Sequence, residues 1–152
     1  MQREDALPRE AIVADIGGTN ARFAVADLAT LELSRISQMP CAAHPTFTAA
    51  FCAYLAELPA PLDHAAIAVA APVTGEHIHF TNSPWSFVKH ELCRATGLKD
   101  VLVLNAFEAL ALSLPYLARA ELHQIGGVAP EDHATKIVLG PGTGLGVAGL
   151  VW

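Results

Sequence analysis

The sequence predicts an α/β domain, a mixed central sheet with helices packed on it. Short apolar or alternating runs recur from Ala11 to Val151, stretches of helical period lie between several of them, and two glycine turns each join a pair of strand-like runs. The order reads ββ(β)αβ…αβα…ββ, without an internal repeat or a low-complexity linker.

The first pair of strands is Ala11-Ile12-Val13-Ala14, an apolar run, and Ala21-Arg22-Phe23-Ala24-Val25-Ala26-Asp27, where Ala21, Phe23 and Val25 alternate with Arg22, Ala24 and Ala26. Alternation over Leu31–Ile36 predicts a third strand. Pro45-Thr46 opens a helix that gathers Phe47, Phe51, Tyr54, Leu55 and Leu58 on one face, and Pro59 and Pro61 close it. The continuous apolar run Ala65–Ala71 suits a strand buried on both faces. Pro72–Phe80 reads as a turn and an extended segment. Ser83-Pro84 has the form of an N-cap and first-turn proline for a helix ending at Gly97. Asp100–Leu104 is a further strand, followed by a helix marked by Phe107, Leu110, Ala111 and Leu114 and stopped by Pro115. Lys136–Leu139 and Val147–Val151 are strands on either side of the second glycine turn.

Composition excludes several classes of function. With 152 residues, 53% hydrophobic and 16% charged, the chain can bury a sizeable core. A formal net charge of −6 argues against a nucleic-acid surface. No apolar run is long enough to span a bilayer, and Met1–Asp5 has mixed charge where a secretory leader is basic and then apolar. Cys41, Cys52 and Cys93 are scattered and lack metal-ligand spacing, so they read as buried or idle thiols of a reducing cytoplasm. His77 and His79 share a face by alternation, for which solvent exposure is the reading, and no metal is assigned to them.

The chemistry concentrates at Asp15-Ile16-Gly17-Gly18-Thr19-Asn20. Glycines in a strand-turn-strand hairpin can take positive φ and let a ligand approach the backbone amides, and a nest of N–H groups suits phosphate oxygens. Thr19 and Asn20 add side-chain donors, and Asp15 is placed to hold Mg²⁺ through water. No Gly-Lys-Ser/Thr follows, so this is not a Walker loop, and a strand follows where a dinucleotide fingerprint has a helix. An ordinary Gly-Gly hairpin is the structural alternative. Gly140-Pro141-Gly142-Thr143-Gly144-Leu145-Gly146 repeats the pattern of strand, glycines with a hydroxyl, and strand.

The two turns together resemble the paired phosphate loops of the sugar kinase, actin and heat-shock chaperone ATPase superfamily. Ala14–Arg22 closely resembles the first phosphate loop of bacterial glucokinases. Ala70–Gly75, Thr81-Asn82-Ser83-Pro84-Trp85, Leu104-Asn105-Ala106-Phe107-Glu108-Ala109 and Gly140–Ala148 are similar to further motifs of that family, in order, from about Ala11 to Val151. The resemblance implies a ribonuclease H-like fold and an ATP-dependent, cytoplasmic kinase that phosphorylates glucose at its 6-hydroxyl, the first step of glycolysis. It places ATP phosphates at Ala14, Asp15, Ile16, Gly17, Gly18, Thr19, Asn20, Gly142, Thr143 and Gly144, Mg²⁺ at Asp15, and the sugar at Asn82 and Asn105. Turn formation and helix capping are the plainer roles of those two asparagines. Trp85 reads as a core or hinge aromatic rather than a sugar platform.

One motif departs from the family. Its Asn-Asp-Phe supplies an Asp as general base, and this chain has Asn105-Ala106-Phe107. A methyl group accepts no proton, and such a base contributes roughly 10²–10⁴-fold in rate. Glu108 is the nearby carboxylate, but Asn105-x-x-Glu108 has the form of a capping box. By the same resemblance residues 1–152 form the small N-terminal domain, with the larger domain, its adenosine pocket and further sugar ligands expected after Trp152. The surface that such a domain would cover favours self-association, and a homodimer is expected. A non-catalytic sugar- or nucleotide-binding protein derived from such a kinase is the alternative reading, favoured by Ala106.

Overall fold

The computed structural model describes residues 8–81, 83–128, 131, 133–141 and 145–152. Strands β1 (Glu10–Ile16) and β2 (Asn20–Asp27) form an antiparallel ladder with Ile12 opposite Val25 and Ile16 opposite Ala21. Strand β3 (Leu33–Pro40) continues it antiparallel to β2. It begins at Leu33, not at Leu31 as its alternation predicts, because a tight turn takes up the preceding residues. Asp27 Oδ1 accepts the Ala29 and Thr30 N–H groups at 2.8 and 2.9 Å, and Leu31 turns through φ 62° to donate to the Asp27 carbonyl. The Thr30 and Ala29 N–H groups hold the Asp27 carboxyl below its usual range.

Helix α1 (Phe47–Ala56) starts where Thr46 predicts, with the Thr46 hydroxyl accepting from the Ala49 N–H at 3.1 Å. It buries Phe47, Ala50, Phe51 and Tyr54. Strand β4 (His64–Val69) then lies parallel to β1, with Ile67 opposite Ala14. Its burial alternates: Ala65, Ile67 and Val69 are buried, while His64, Ala66 and Ala68 are only half-buried. The expectation of full burial on both faces fails here, since only alternate residues of the strand are fully buried. Strand β7 (Asp100–Asn105) pairs parallel with β4, giving the order β3-β2-β1-β4-β7 in a five-stranded mixed sheet. Three antiparallel strands, extended beyond β1 by two parallel ones, make the ribonuclease H-like arrangement. Parallel neighbours require crossovers, and the segments bearing α1 and α2 supply them.

Between β4 and β7 lie β5 (His77–His79), β6 (Ser86–Val88) and α2 (Lys89–Thr96). Ser83-Pro84 does not start the helix. The Ser83 hydroxyl accepts from the Trp85 N–H at 3.3 Å in a turn, and β6 pairs Phe87 with Ile78 before α2 begins at Lys89. Trp85 and Phe87 are 4% and 6% exposed, so their burial against Phe47 and Phe80 outweighs the local helix signal. Gly97 ends α2 as the sequence predicts, in the left-handed conformation at φ 78°. His77 and His79 are exposed and stacked, with ring centres 5.9 Å apart, while Ile78 between them is buried. The same core holds Phe23 stacked on Tyr54 at 5.0 Å and edge-on to Phe51 at 5.6 Å.

The chain divides after Asn105 into two units. The second contains α3 (Ala106–Ser113), a short turn over Leu114–Tyr116 at Pro115, and an antiparallel hairpin of β8 (Lys136–Pro141) and β9 (Leu145–Leu150). Of the α3 residues only Ala111 is fully buried, and Leu110 is 43% exposed although the helical period puts it on the apolar face. No described helix is long and apolar enough to cross a membrane.

Candidate functional site

The first glycine turn sits where β1 passes into β2, at the end of the sheet reached by the C-terminal ends of the parallel strands. In open α/β sheets that end is where ligands bind. Ala14 and Ile16 turn their side chains into the core, so only their backbone is available to a ligand. Asp15 points the other way and is exposed, as are Gly18 and Thr19, while Gly17 and Asn20 are half-buried.

Neighbouring segments hold the turn by its carbonyls. The Ala70 N–H donates to the Ile16 carbonyl at 3.3 Å and the Cys41 N–H to the Thr19 carbonyl at 2.8 Å. The Cys41 thiol reaches the Gly17 carbonyl at 3.6 Å. Cys41 is 7% exposed, and burial pushes its thiol pKa up. It is therefore buried but not idle, since it braces the turn from behind; spacing along the chain carried no sign of this contact.

The N–H groups of the turn divide into one that is used within it and two that are not. Gly17 donates to the Asn20 carbonyl at 3.0 Å, which closes the turn and removes that donor. Among the described residues no backbone carbonyl accepts from Gly18 or Thr19. Neither Gly17 nor Gly18 has the left-handed φ seen at Gly97 and Gly126. A Cβ on Gly17 would meet the Asn20 carbonyl oxygen at 3.6 Å, an ordinary contact. The fold thus gives no steric reason for glycine at position 17.

Asp15 is paired. Its Oδ2 accepts from Arg22 Nη1 at 2.9 Å, the two side chains being 54% and 55% exposed, and Gln38 Oε1 takes the Arg22 Nε–H at 3.4 Å. Arg22 belongs to the same motif, but its pairing with Asp15 follows from ladder register, which composition does not display. One half-exposed carboxylate suits Mg²⁺, an ion that keeps several waters and is usually held by one or two carboxylates together with phosphate oxygens. Among the described residues no group of three or more His, Cys, Asp or Glu side chains is placed to cage a metal.

Asn105 ends β7 and Ala106 begins α3. The Asn105 amide donates to the Ala71 carbonyl at 3.0 Å, tying the end of β7 to the segment after β4. Ala106 is half-buried, and Glu108 is exposed in the first turn of α3. Trp85 is a core aromatic, as expected, and its indole N–H donates to the His44 carbonyl at 3.2 Å. Asn82, Gly142, Thr143 and Gly144 lie outside the described residues.

The sequence profile named Glucokinase matches residues 12–152. The chain is 45% identical over 151 residues to a glucokinase of Ralstonia nicotianae, covering 96% of this chain and 43% of that protein. It is 45% identical over 141 residues to a bifunctional protein glk of Burkholderia orbicola, covering 92% of this chain and 22% of that one. A crystal structure of a glucokinase from an Antarctic psychrotroph superposes with a TM-score of 0.82 at 35% identity, covering 94% of this chain and 46% of that one. The chain therefore spans under half the length of these relatives. It belongs to the glucokinase family.

Proposed function

We propose that this member of the glucokinase family supplies the N-terminal, phosphate-binding part of an ATP-dependent kinase that phosphorylates glucose at its 6-hydroxyl. The observation that carries this reading is the family match over residues 12–152, on a fold whose β1–β2 turn has a glycine that packing does not require. The exposed Gly18 and Thr19 amides would receive phosphate oxygens, and Thr19 and Asn20 would add side-chain donors. Asp15, held by Arg22, would take Mg²⁺ through water, and Gly142, Thr143 and Gly144 would form the second phosphate contact. Mg²⁺ supplies charge neutralisation on the phosphates of the bound nucleotide. Asn82 and Asn105 would orient the sugar, with Asn105 steadied by its bond to Ala71.

Ala106 stands at the base position. It leaves this chain to act by positioning and charge, which carry most of phosphoryl transfer, while the sugar hydroxyl loses its proton acceptor. This is the observation that favours the second reading, a sugar- or nucleotide-binding protein without turnover. Exposed apolar side chains such as Leu33, Ile36, Ile137 and Leu139 support the proposal of a homodimer.

The test is glucose-6-phosphate formation from MgATP by the full-length gene product and its Ala106→Asp variant, beside calorimetric titration of both ligands. Turnover restored in the variant supports the kinase. Tight glucose or ATP binding with no turnover in either protein moves the reading to the binding protein, and failure to bind either ligand overturns both.

A further inference from the structure

We infer that Phe107 is a positioning residue: its ring seats on the glycine pair Gly140 and Gly146 and fixes the β8–β9 hairpin against the first turn of α3. The inference rests on the proposed function, because it takes that hairpin as the second phosphate loop and position 106 as the base position.

Gly140 and Gly146 stand directly opposite each other in the hairpin register, so side chains at both would project from one face. That face holds the Phe107 ring. A Cβ on Gly140 would lie 2.6 Å from Phe107 Cζ and 2.8 Å from Cε1, and a Cβ on Gly146 would overlap Cε2, Cζ and Cδ2. Neither glycine has a left-handed φ, so backbone conformation does not explain them. Gly149, in the same strand as Gly146, would meet the Lys136 carbonyl oxygen at an ordinary 3.7 Å. Among the described glycines, close packing against one ring occurs at positions 140 and 146. The two glycine turns differ in kind: packing does not require glycine at Gly17, whereas it does at Gly140 and Gly146.

An isolated two-stranded hairpin is marginal in water and needs a partner to hold it. On this hairpin Ile137, Leu139, Leu145 and Val147 are 56–73% exposed, and the ring of Phe107 packs against the glycine pair close to the turn. Phe107 is the next residue after Ala106 on the same rigid turn of helix. Its ring thereby fixes β8 and β9 against the helix turn that carries position 106. A positional error of an ångström at reacting groups costs on the order of 100-fold in rate.

The experiment is a double-mutant cycle in the full-length gene product, with MgATP and glucose dissociation constants measured for the parent, Phe107→Ala, Gly146→Ala and the double variant. Gly146→Ala should weaken MgATP by roughly tenfold or more, with glucose affinity little changed. Phe107→Ala in the same molecule should recover most of that loss, because the added methyl fills space the ring has left. Gly140→Ala and Phe107→Leu, which are milder changes, carry the same comparison if Gly146→Ala does not fold. In the Ala106→Asp background, Phe107→Leu should lower kcat and raise the KM for MgATP while the KM for glucose stays, a split that general destabilisation would not give. Equal MgATP loss in the single and double variants overturns the inference and leaves the proposed function standing. A parent that binds no MgATP overturns the proposed function and the inference with it.

Discussion

Asp15 and Arg22 face each other across the β1–β2 ladder, joined by a 2.9 Å bond from Arg22 Nη1 to Asp15 Oδ2. Both are about half exposed, so water screens the pair and its contribution to stability is small, at most about 1 kcal/mol. Its consequence is orientation: the arginine holds one carboxylate oxygen beside the glycine turn, and no hydrogen bond or ion pair to a described residue takes the other.

Asp15→Ala should therefore separate binding from folding. Urea denaturation is expected to show a loss under about 1 kcal/mol, while the Mg²⁺-dependent part of ATP binding weakens markedly. Calorimetry giving the same MgATP affinity with and without the carboxylate would count against Asp15 as the metal-side residue.

Gly17→Ala gives the sharper test of the first turn. The added methyl meets only an ordinary contact at 3.6 Å, and the position has no left-handed φ. Stability should be unchanged or raised by up to about 1 kcal/mol through the unfolded chain. MgATP binding should fall steeply, since the methyl occupies the approach to the turn. A variant that keeps both stability and affinity would return this segment to an ordinary hairpin.

Ala106→Asp should raise glucose phosphorylation by roughly 10²–10⁴-fold with a much smaller change in the glucose KM, since the carboxylate acts on the hydroxyl as it attacks. Equal turnover in a coupled assay would remove position 106 from the chemistry and direct attention to Glu108.

Alkaline pH should destabilise the fold. Burial raises the pKa of Cys41 and Cys93 above the ordinary thiol value of 9.0, and that of Tyr54 above 10.0. Each group binds its proton more tightly folded than unfolded. Their contribution is therefore complete below those ordinary values and is lost as pH rises through the folded ones. Urea midpoints should hold through neutral pH and decline above about pH 9, and Cys41→Ala should make the decline shallower. A midpoint that rises with alkalinity would contradict the burial of these groups.

Local signals determined much of this protein from the sequence alone. The alternation around Phe23, the Thr46 cap, the stop at Gly97 and the glycine turn after Asp15 all appear where the sequence places them, because each depends on a few adjacent residues. The ordered motifs from Ala11 to Val151 also carry the family in the sequence alone. Long-range packing decided the rest. Ser83-Pro84 has the local form of a helix start, but the burial of Trp85 and Phe87 beside Phe47 and Phe80 pulls that segment into a turn and a strand. The brace of Cys41 on Gly17 and the pairing of Arg22 with Asp15 depend on which strands are neighbours and in what register. The glycines at positions 140 and 146 look in the sequence like those of the first turn. Only the position of the Phe107 ring separates them, because a side chain is excluded by what stands in its space, and that neighbour lies far away along the chain.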